Sequence, residues 1–296
     1  MAKCLVTGHK GYIGSHLFKS LQELGHEVVG IDLKEQVPTN ILSYRGLKER
    51  DDGGFHPFYA KFNPDYIFHL ACIPRVAHSV EQPVQTMENN VLATSIVLNY
   101  ARKVGVKRVI YSGSSSVVGN GDGPSSPYGL QKLISEMECK LYSTLYGIDT
   151  VALRYFNVYS PDQKAEGPYA TAVANFMQHI RENKNPFITG DGTQRRDMAH
   201  VQDVVAANIF AMEQKSSFGG QSFDVGTGAN ISLNEIRDIV FNYFPKVSFD
   251  YIESRKGDVL LTKADPFPLH LLGWNPKIDI VEGIHECFKA LKREVA

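Results

Sequence analysis

Apolar and polar positions alternate along this chain with two periods. Short runs rich in β-branched residues, at 3–6, 28–32, 66–70, 108–112 and 148–154, read as buried strands. Between them, residues 12–24, 84–104 and 128–146 carry helical spacing. Strand–helix alternation predicts a parallel, doubly wound α/β sheet, because parallel neighbours need a crossover. After Arg154 the rhythm changes. A Pro- and Gly-bearing loop at 160–168 precedes a helix near 169–182. A turn cluster Gly190-Asp191-Gly192-Thr193 follows, then helices near 204–212, 233–241 and 281–291. Residues 38–64, interrupted by Asp51-Asp52-Gly53-Gly54, predict no regular element. The pattern divides the chain into a larger sheet domain, 1–165 with 198–222 returning to it, and a smaller C-terminal α/β substrate-binding lobe, 166–197 and 223–296. That lobe is expected to close over the carboxyl edge of the sheet, where open α/β sheets bind ligands.

Composition narrows the function by exclusion. The 296 residues are 43% hydrophobic with a formal net charge of -1. That balance argues against nucleic acid or an anionic membrane as partner. No apolar run reaches the roughly 18–20 residues of a spanning helix, and the chain enters a strand-like run at once, without a secretory leader. Cytoplasmic residence is expected. The four cysteines are scattered and form no C-x-x-C pair, which reads as buried reduced thiols. No metal site is expected, since neither HExxH nor a Cys/His cluster occurs.

The first candidate chemistry lies between the first strand and the first helix. Thr7-Gly8-His9-Lys10-Gly11-Tyr12-Ile13-Gly14 spaces its glycines as G-x-x-G-x-x-G. Gly8 suits a tight turn, Gly11 admits a pyrophosphate near the backbone, and Gly14 permits close helix packing. Asp32 follows 18 residues after Gly14 and ends the second strand. A carboxylate there accepts the adenosine ribose hydroxyls and repels a 2′-phosphate, favouring NAD over NADP. Lys34, close by, leaves NADP open. These features predict a Rossmann-type dinucleotide domain.

The second lies on the helix starting near residue 128. Tyr128 and Lys132 stand four apart and share one face. A free phenol titrates at about 10. A neighbouring ammonium stabilises the phenolate, so Tyr128 can take a proton from a sugar hydroxyl near neutrality. Lys132 can also bond the nicotinamide ribose. The preceding strand ends in Ser112-Gly113-Ser114-Ser115-Ser116, where a hydroxyl can bond the same sugar oxygen.

The glycine motif, Asp32, the serine run and Tyr-x-x-x-Lys together resemble the extended short-chain dehydrogenase/reductase superfamily. Within it, the chain is similar to the nucleotide-sugar epimerase and dehydratase branch, near the UDP-glucose 4-epimerases. Further stretches carry the resemblance over nearly the whole chain. They are Phe68-His69-Leu70-Ala71, Glu88-Asn89-Asn90, Arg154-Tyr155-Phe156-Asn157-Val158-Tyr159, Gly190 to Asp197, Arg255-Lys256-Gly257-Asp258, Ala264-Asp265 and Leu272-Gly273-Trp274. The resemblance implies NAD on Gly8, Gly11, Tyr12, Ile13, Gly14, Asp32, Leu70, Ala71, Asn90, Tyr128 and Lys132. It implies catalysis by Ser114, Tyr128 and Lys132. It also implies a nucleotide sugar, UDP-linked by preference, held by Ser114, Ser115, Asn157, Phe187, Arg196, Arg255, Asp258 and Thr262. Family members pair as homodimers through the helices at 84–104 and 128–146. Val118 stands where the family carries Tyr, and the loop from Gly119 to Pro127 is short.

Three reactions fit. A 4-epimerase would pass through a transient 4-keto sugar. A 4,6-dehydratase, or another enzyme continuing from that intermediate, needs an added acidic pair, and those positions are Ser115 and Ser116 here. A non-catalytic NAD-binding regulator is the third, although such members usually lose Tyr or Lys of the pair. The small Thr262 implies tolerance of N-acetylhexosamines.

Overall fold

Five residues, Lys3-Cys4-Leu5-Val6-Thr7, the last four of them buried, make β1. The computed structural model describes residues 1–32, 47, 61–74, 76–119, 121–165, 171–254 and 259–295. β1 (Lys3–Thr7) pairs in parallel with β2 (Glu27–Ile31) on one side and β3 (Tyr66–His69) on the other; Val6 lies between Gly30 and Phe68. β3 pairs in parallel with β4 (Arg108–Ser114). β5 (Asp149–Tyr155) and β8 (Gln221–Val225) extend the sheet, giving the order β2-β1-β3-β4-β5-β8 among the described residues. The order reverses at β1, so the carboxyl ends of β1 and β3 flank a switch point, the usual ligand crevice of such sheets.

The helices follow from their caps and stripes. α1 (Tyr12–Glu23) buries Gly14, Leu17 and Leu21 on one face. Next come α2 (Val76–Glu81) and α3 (Pro83–Met87), then a π-helical segment, Glu88–Leu92, and α4 (Ala93–Val104). The expected helix at 84–104 thus exists, but one wide turn at Asn90 interrupts it. Pro83 separates α2 from α3 because it has no N–H to continue the ladder. α5 (Pro127–Tyr146) opens with Pro127 in its first turn, and the N-cap Ser126 accepts the Gly129 N–H at 3.1 Å. It ends on Gly147 at φ +69°, the left-handed cap that glycine takes freely. Arg108, at the start of β4, pairs with Asp149 and donates to the Gln214 and Ser216 carbonyls. It thereby satisfies carbonyls past the end of α7 (Val201–Glu213).

The chain divides into two compact units. The first is Met1–Val117, Ser126–Arg154 and Val205–Phe223; the second is Val118–Ser125, Tyr155–Val204 and Asp224–Ala296. The first packs α4, α5 and the sheet around Leu5, Ile67, Val97, Tyr100, Val109 and Ala152. The second packs α6 (Ala172–Arg181), α8 (Leu233–Phe241) and α10 (Ile280–Glu294) around Tyr159, Phe176, Ile188, Ile236 and Phe288. It also holds α9 (Phe267–Leu271) and two small ladders: β6 (Phe187–Thr189) with β10 (Asp250–Ile252), parallel, and β7 (Arg195–Arg196) with β9 (Ile231–Ser232), antiparallel. The short strands β6 to β10 and helices α2 and α9 were not expected. Elements of two to six residues show too little periodicity to be read. Among the described residues no helix is long and apolar enough to cross a membrane.

Candidate active site

Gly8 sits at φ +74° and donates its N–H to the Ile31 carbonyl at 2.7 Å. A Cβ here would lie 2.8 Å from the Ala71 nitrogen, so the turn after β1 fits against the turn after β3 only without a side chain. A Cβ on Gly14 would overlap the Gly8 carbonyl oxygen. Gly11 is the N-cap of α1 and supplies no side-chain cap. The amides of Tyr12, Ile13 and Gly14 therefore form an opening turn whose orphan donors suit an anion. Asp32, half-buried beyond β2, accepts the Lys10 N–H at 2.9 Å, which holds the loop against the strand end.

A buried polar chain backs this turn. The Ala71 N–H donates to Thr7 Oγ1 at 3.1 Å, Thr7 Oγ1 lies 2.8 Å from His69 Nδ1, and His69 Nε2 lies 3.1 Å from Thr94 Oγ1. Thr94 donates onward to the Asn90 carbonyl at 2.7 Å. Because Thr94 donates to Asn90, its oxygen accepts from His69, which places a proton on Nε2. Burial keeps the ring neutral, pushing its pKa down to about 3. The Asn90 side chain accepts the Ile73 N–H at 2.7 Å and donates to Gln131 Oε1 at 2.8 Å. It thus engages the chain two residues past Ala71.

Tyr128, Lys132 and Ser114 come together. Tyr128 is buried, and the Ser114 hydroxyl, on the last residue of β4, acts to lower its pKa. Ser114 also accepts the Ser116 N–H at 3.2 Å; Ser115, half-buried, opens the 3₁₀ turn Ser115–Val117. Lys132 is buried, donates to the Ser112 carbonyl at 2.6 Å, and holds its ammonium 6.0 Å from the Tyr128 ring centre and 4.8 Å from that of Tyr111. Burial pushes the Tyr128 pKa up to about 12; the Lys132 charge and the Ser114 hydroxyl oppose it, and Cys72 adds to it. The expected acidifying contact is therefore present, but in the protein alone desolvation outweighs it.

The second unit gathers other expected residues. Asn157 adopts a positive φ of 34° and donates from Nδ2 to the Asp197 carbonyl at 2.6 Å and to Thr262 Oγ1 at 3.3 Å. Asn157 and Thr262 are neighbours although 105 residues apart in the chain. Phe187 is half-buried at the start of β6, with the His179 ring edge-on at 5.3 Å. Along β7, Arg195 is engaged by Asn230 and Glu235. Successive strand residues face opposite ways; half-buried Arg196 donates to the Arg195 carbonyl at 3.1 Å. Arg255 and Asp258 lie outside the described residues.

Set beside known proteins, residues 4–226 match a family model described as the NAD dependent epimerase/dehydratase family. The chain belongs to that family. Its cofactor is accordingly NAD, and the structure fits it: a glycine turn and helix start that a Cβ would fill, with a carboxylate at the end of β2. One curated relative is a putative UDP-glucose 4-epimerase of Methanocaldococcus jannaschii, 32% identical over 97% of this chain and 98% of its own. A solved UDP-N-acetylglucosamine 4-epimerase from Methanobrevibacter ruminantium, in complex with UDP-N-acetylmuramic acid, superposes with a TM-score of 0.86 at 29% identity, covering 99% of both chains. A UDP-glucuronic acid 4-epimerase from Bacillus cereus, in complex with UDP-glucuronic acid and NAD, gives 0.82 at 29% identity, again over 99% of both chains. These likenesses bear out the expected family, fold class and cofactor.

Sequence reasoning missed several residues that build the site. Thr7, His69 and Thr94 look like ordinary strand and helix positions; only their closure into one chain reveals them. Ser79, on α2, accepts the Tyr128 N–H at 3.0 Å and so caps α5 from a distant element. Asp197, fully buried, accepts from Thr227, Gly228 and Ala264, tying two loops to β7. The Arg-Arg-Asp end of the run from Gly190 was a signal for Asp197.

Proposed function

We propose that this protein is an NAD-dependent nucleotide-sugar 4-epimerase acting on a UDP-hexose or UDP-N-acetylhexosamine. The observation that carries the reading is the burial together of Tyr128, Ser114 and Lys132, with the Lys132 ammonium 6.0 Å from the Tyr128 ring centre. The turn at Gly8, Gly11 and Gly14 with Asp32 would hold NAD, which would supply a reversible hydride acceptor for the sugar C4. Tyr128 removes the proton of the C4 hydroxyl and later returns it. Ser114 bonds the same oxygen and holds it against the phenol. Lys132 favours the phenolate by its charge, anchored by the Ser112 carbonyl. Asn157 and Arg196 engage the diphosphate, with Phe187 near the base; the charge of Arg196 suits phosphate. Epimerisation is favoured over 4,6-dehydration because Ser115 and Ser116 follow Ser114, where elimination of water needs an acid and a base.

Assay of the purified protein with UDP-glucose and UDP-N-acetylglucosamine tests this. Mixing of the C4 epimers supports it; a stable keto product, or silence with both sugars, rejects it. The proximity of Thr262 to Asn157 supports a role at the sugar. Thr262→Tyr should raise KM for the acetylated sugar alone, and an equal effect on both sugars rejects that role.

We infer that the molecule is a homodimer through the helical stretch 84–104 and α5. Leu92, Met137, Leu141 and Leu145, 50–63% exposed, supply an apolar face. A monomer mass by sedimentation at micromolar concentration would reject this.

A further inference from the structure

The Gln131 side chain, 1% exposed, immediately precedes Lys132 and is hydrogen-bonded at both ends. Its Oε1 accepts from Asn90 Nδ2 at 2.8 Å; its Nε2 donates to Thr86 Oγ1 at 2.9 Å. Thr86 donates in turn to the Gln82 carbonyl at 3.0 Å. Asn90 grips Ile73 through both backbone groups, accepting its N–H at 2.7 Å and donating to its carbonyl at 3.4 Å. The Asn90 carbonyl, in the π-helical turn, accepts the hydroxyls of Thr94 at 2.7 Å and Ser135 at 3.4 Å. A wide turn of this kind frees a carbonyl from the helical ladder for such partners. A line of hydrogen bonds, part-buried at Ile73 and buried from Asn90 through Gln131 to Thr86, therefore ties the turn after β3 to the helix that carries Tyr128 and Lys132. Every link is directional, and breaking one leaves a buried polar group without a partner, so the line resists displacement.

We infer that Gln131 is a positioning residue, whose amide, held between Asn90 and Thr86, ties the turn after β3 to α5 and sets Tyr128 and Lys132 against the dinucleotide. Gln131 acts through its neighbours and touches no reacting atom. The inference rests on the reading of Tyr128 and Lys132 as base and partner.

Two variants test it on the holoenzyme. Gln131→Met keeps the length of the side chain and removes both polar ends. Thr86→Val keeps the Gln131–Asn90 bond and removes the nearer acceptor at the other end, leaving the Pro83 carbonyl at 3.4 Å. The first readout is the ultraviolet titration of Tyr128, taken as the difference between each protein and the same protein carrying Tyr128→Phe; it needs no turnover. The second is kcat and KM on the UDP-hexose that the unmodified enzyme converts. In Gln131→Met the Tyr128 midpoint should rise by about one pH unit and kcat fall roughly 10- to 100-fold, the scale expected when reacting groups are misplaced by about 1 Å. KM should stay within about threefold, because substrate binding is untouched. Thr86→Val should move both quantities the same way by less, and it carries the test if Gln131→Met does not fold. An unmoved Tyr128 midpoint, with NAD content and melting temperature falling in step with activity, would overturn the inference. A shifted midpoint in a protein inert towards UDP-sugars would uphold the positioning role and sink the proposed reaction instead.

Discussion

Replacing Lys132 by Met isolates the electrostatic step on which the proposed chemistry depends. In the protein alone, burial holds Tyr128 near 12, and the Lys132 charge is the largest influence pulling it down. The ammonium lies 6.0 Å from the phenol ring centre. At an effective dielectric constant of about 20, two unit charges at that distance interact by about 2.8 kcal/mol. At 1.36 kcal/mol per pH unit, that is about two units in the phenol pKa, or roughly a hundredfold less phenolate at neutral pH. The variant also leaves the Ser112 carbonyl without its 2.6 Å donor, a folding cost of about 1–3 kcal/mol. Circular dichroism should therefore precede kinetics. The assay is log kcat against pH from 6 to 10 on the best UDP-hexose. Both midpoints lie above this window, so both rates should rise with pH in parallel, the variant slower by roughly a hundredfold throughout. An ultraviolet titration in which Tyr128 keeps its unmodified midpoint in the variant, however slow that variant is, would refute the reasoning. It would mean that Lys132 orients a ligand without acidifying Tyr128.

Other outcomes follow from the same geometry. Tyr128→Phe should retain bound NAD while kcat falls by orders of magnitude; near-normal turnover would remove Tyr128 as the base. Gly14→Ala drives a methyl into the Gly8 carbonyl, so it should cost about 1–3 kcal/mol of stability and reduce co-purified NAD. Full cofactor content and unchanged urea midpoints would contradict the packing described. His69 is held neutral with its pKa near 3, whereas the unfolded chain protonates it near 6.5. The unfolded state then binds more protons, so stability is complete above about 6.5 and falls as pH drops towards 3, by on the order of 2 kcal/mol at pH 5. Urea midpoints at pH 7 and 5 measure this, and His69→Gln should flatten the slope; an unchanged slope would show that another group titrates.

What the amino-acid sequence determined by itself was the local and the periodic. Strands β1 to β5, helices α1 and α5, the glycine turn at Gly8, the strand-end Asp32 and the Tyr128–Lys132 pair were legible because each depends on spacing within a few residues. Burial periodicity, glycine φ freedom and the four-residue helical repeat all act at that range. Tertiary structure decided what depends on residues far apart in the chain. The wide turn at Asn90 exists where its carbonyl and amide meet Thr94, Ser135, Ile73 and Gln131, and no local pattern encodes those meetings. Asn157 meets Thr262 across 105 residues. The neutral state of His69 follows from complete burial and from the charge of Lys132. The pKa of Tyr128 is likewise a balance between desolvation and one nearby ammonium. The sequence names both partners, but only packing sets how much water is excluded, and in the folded protein that exclusion outweighs the charge.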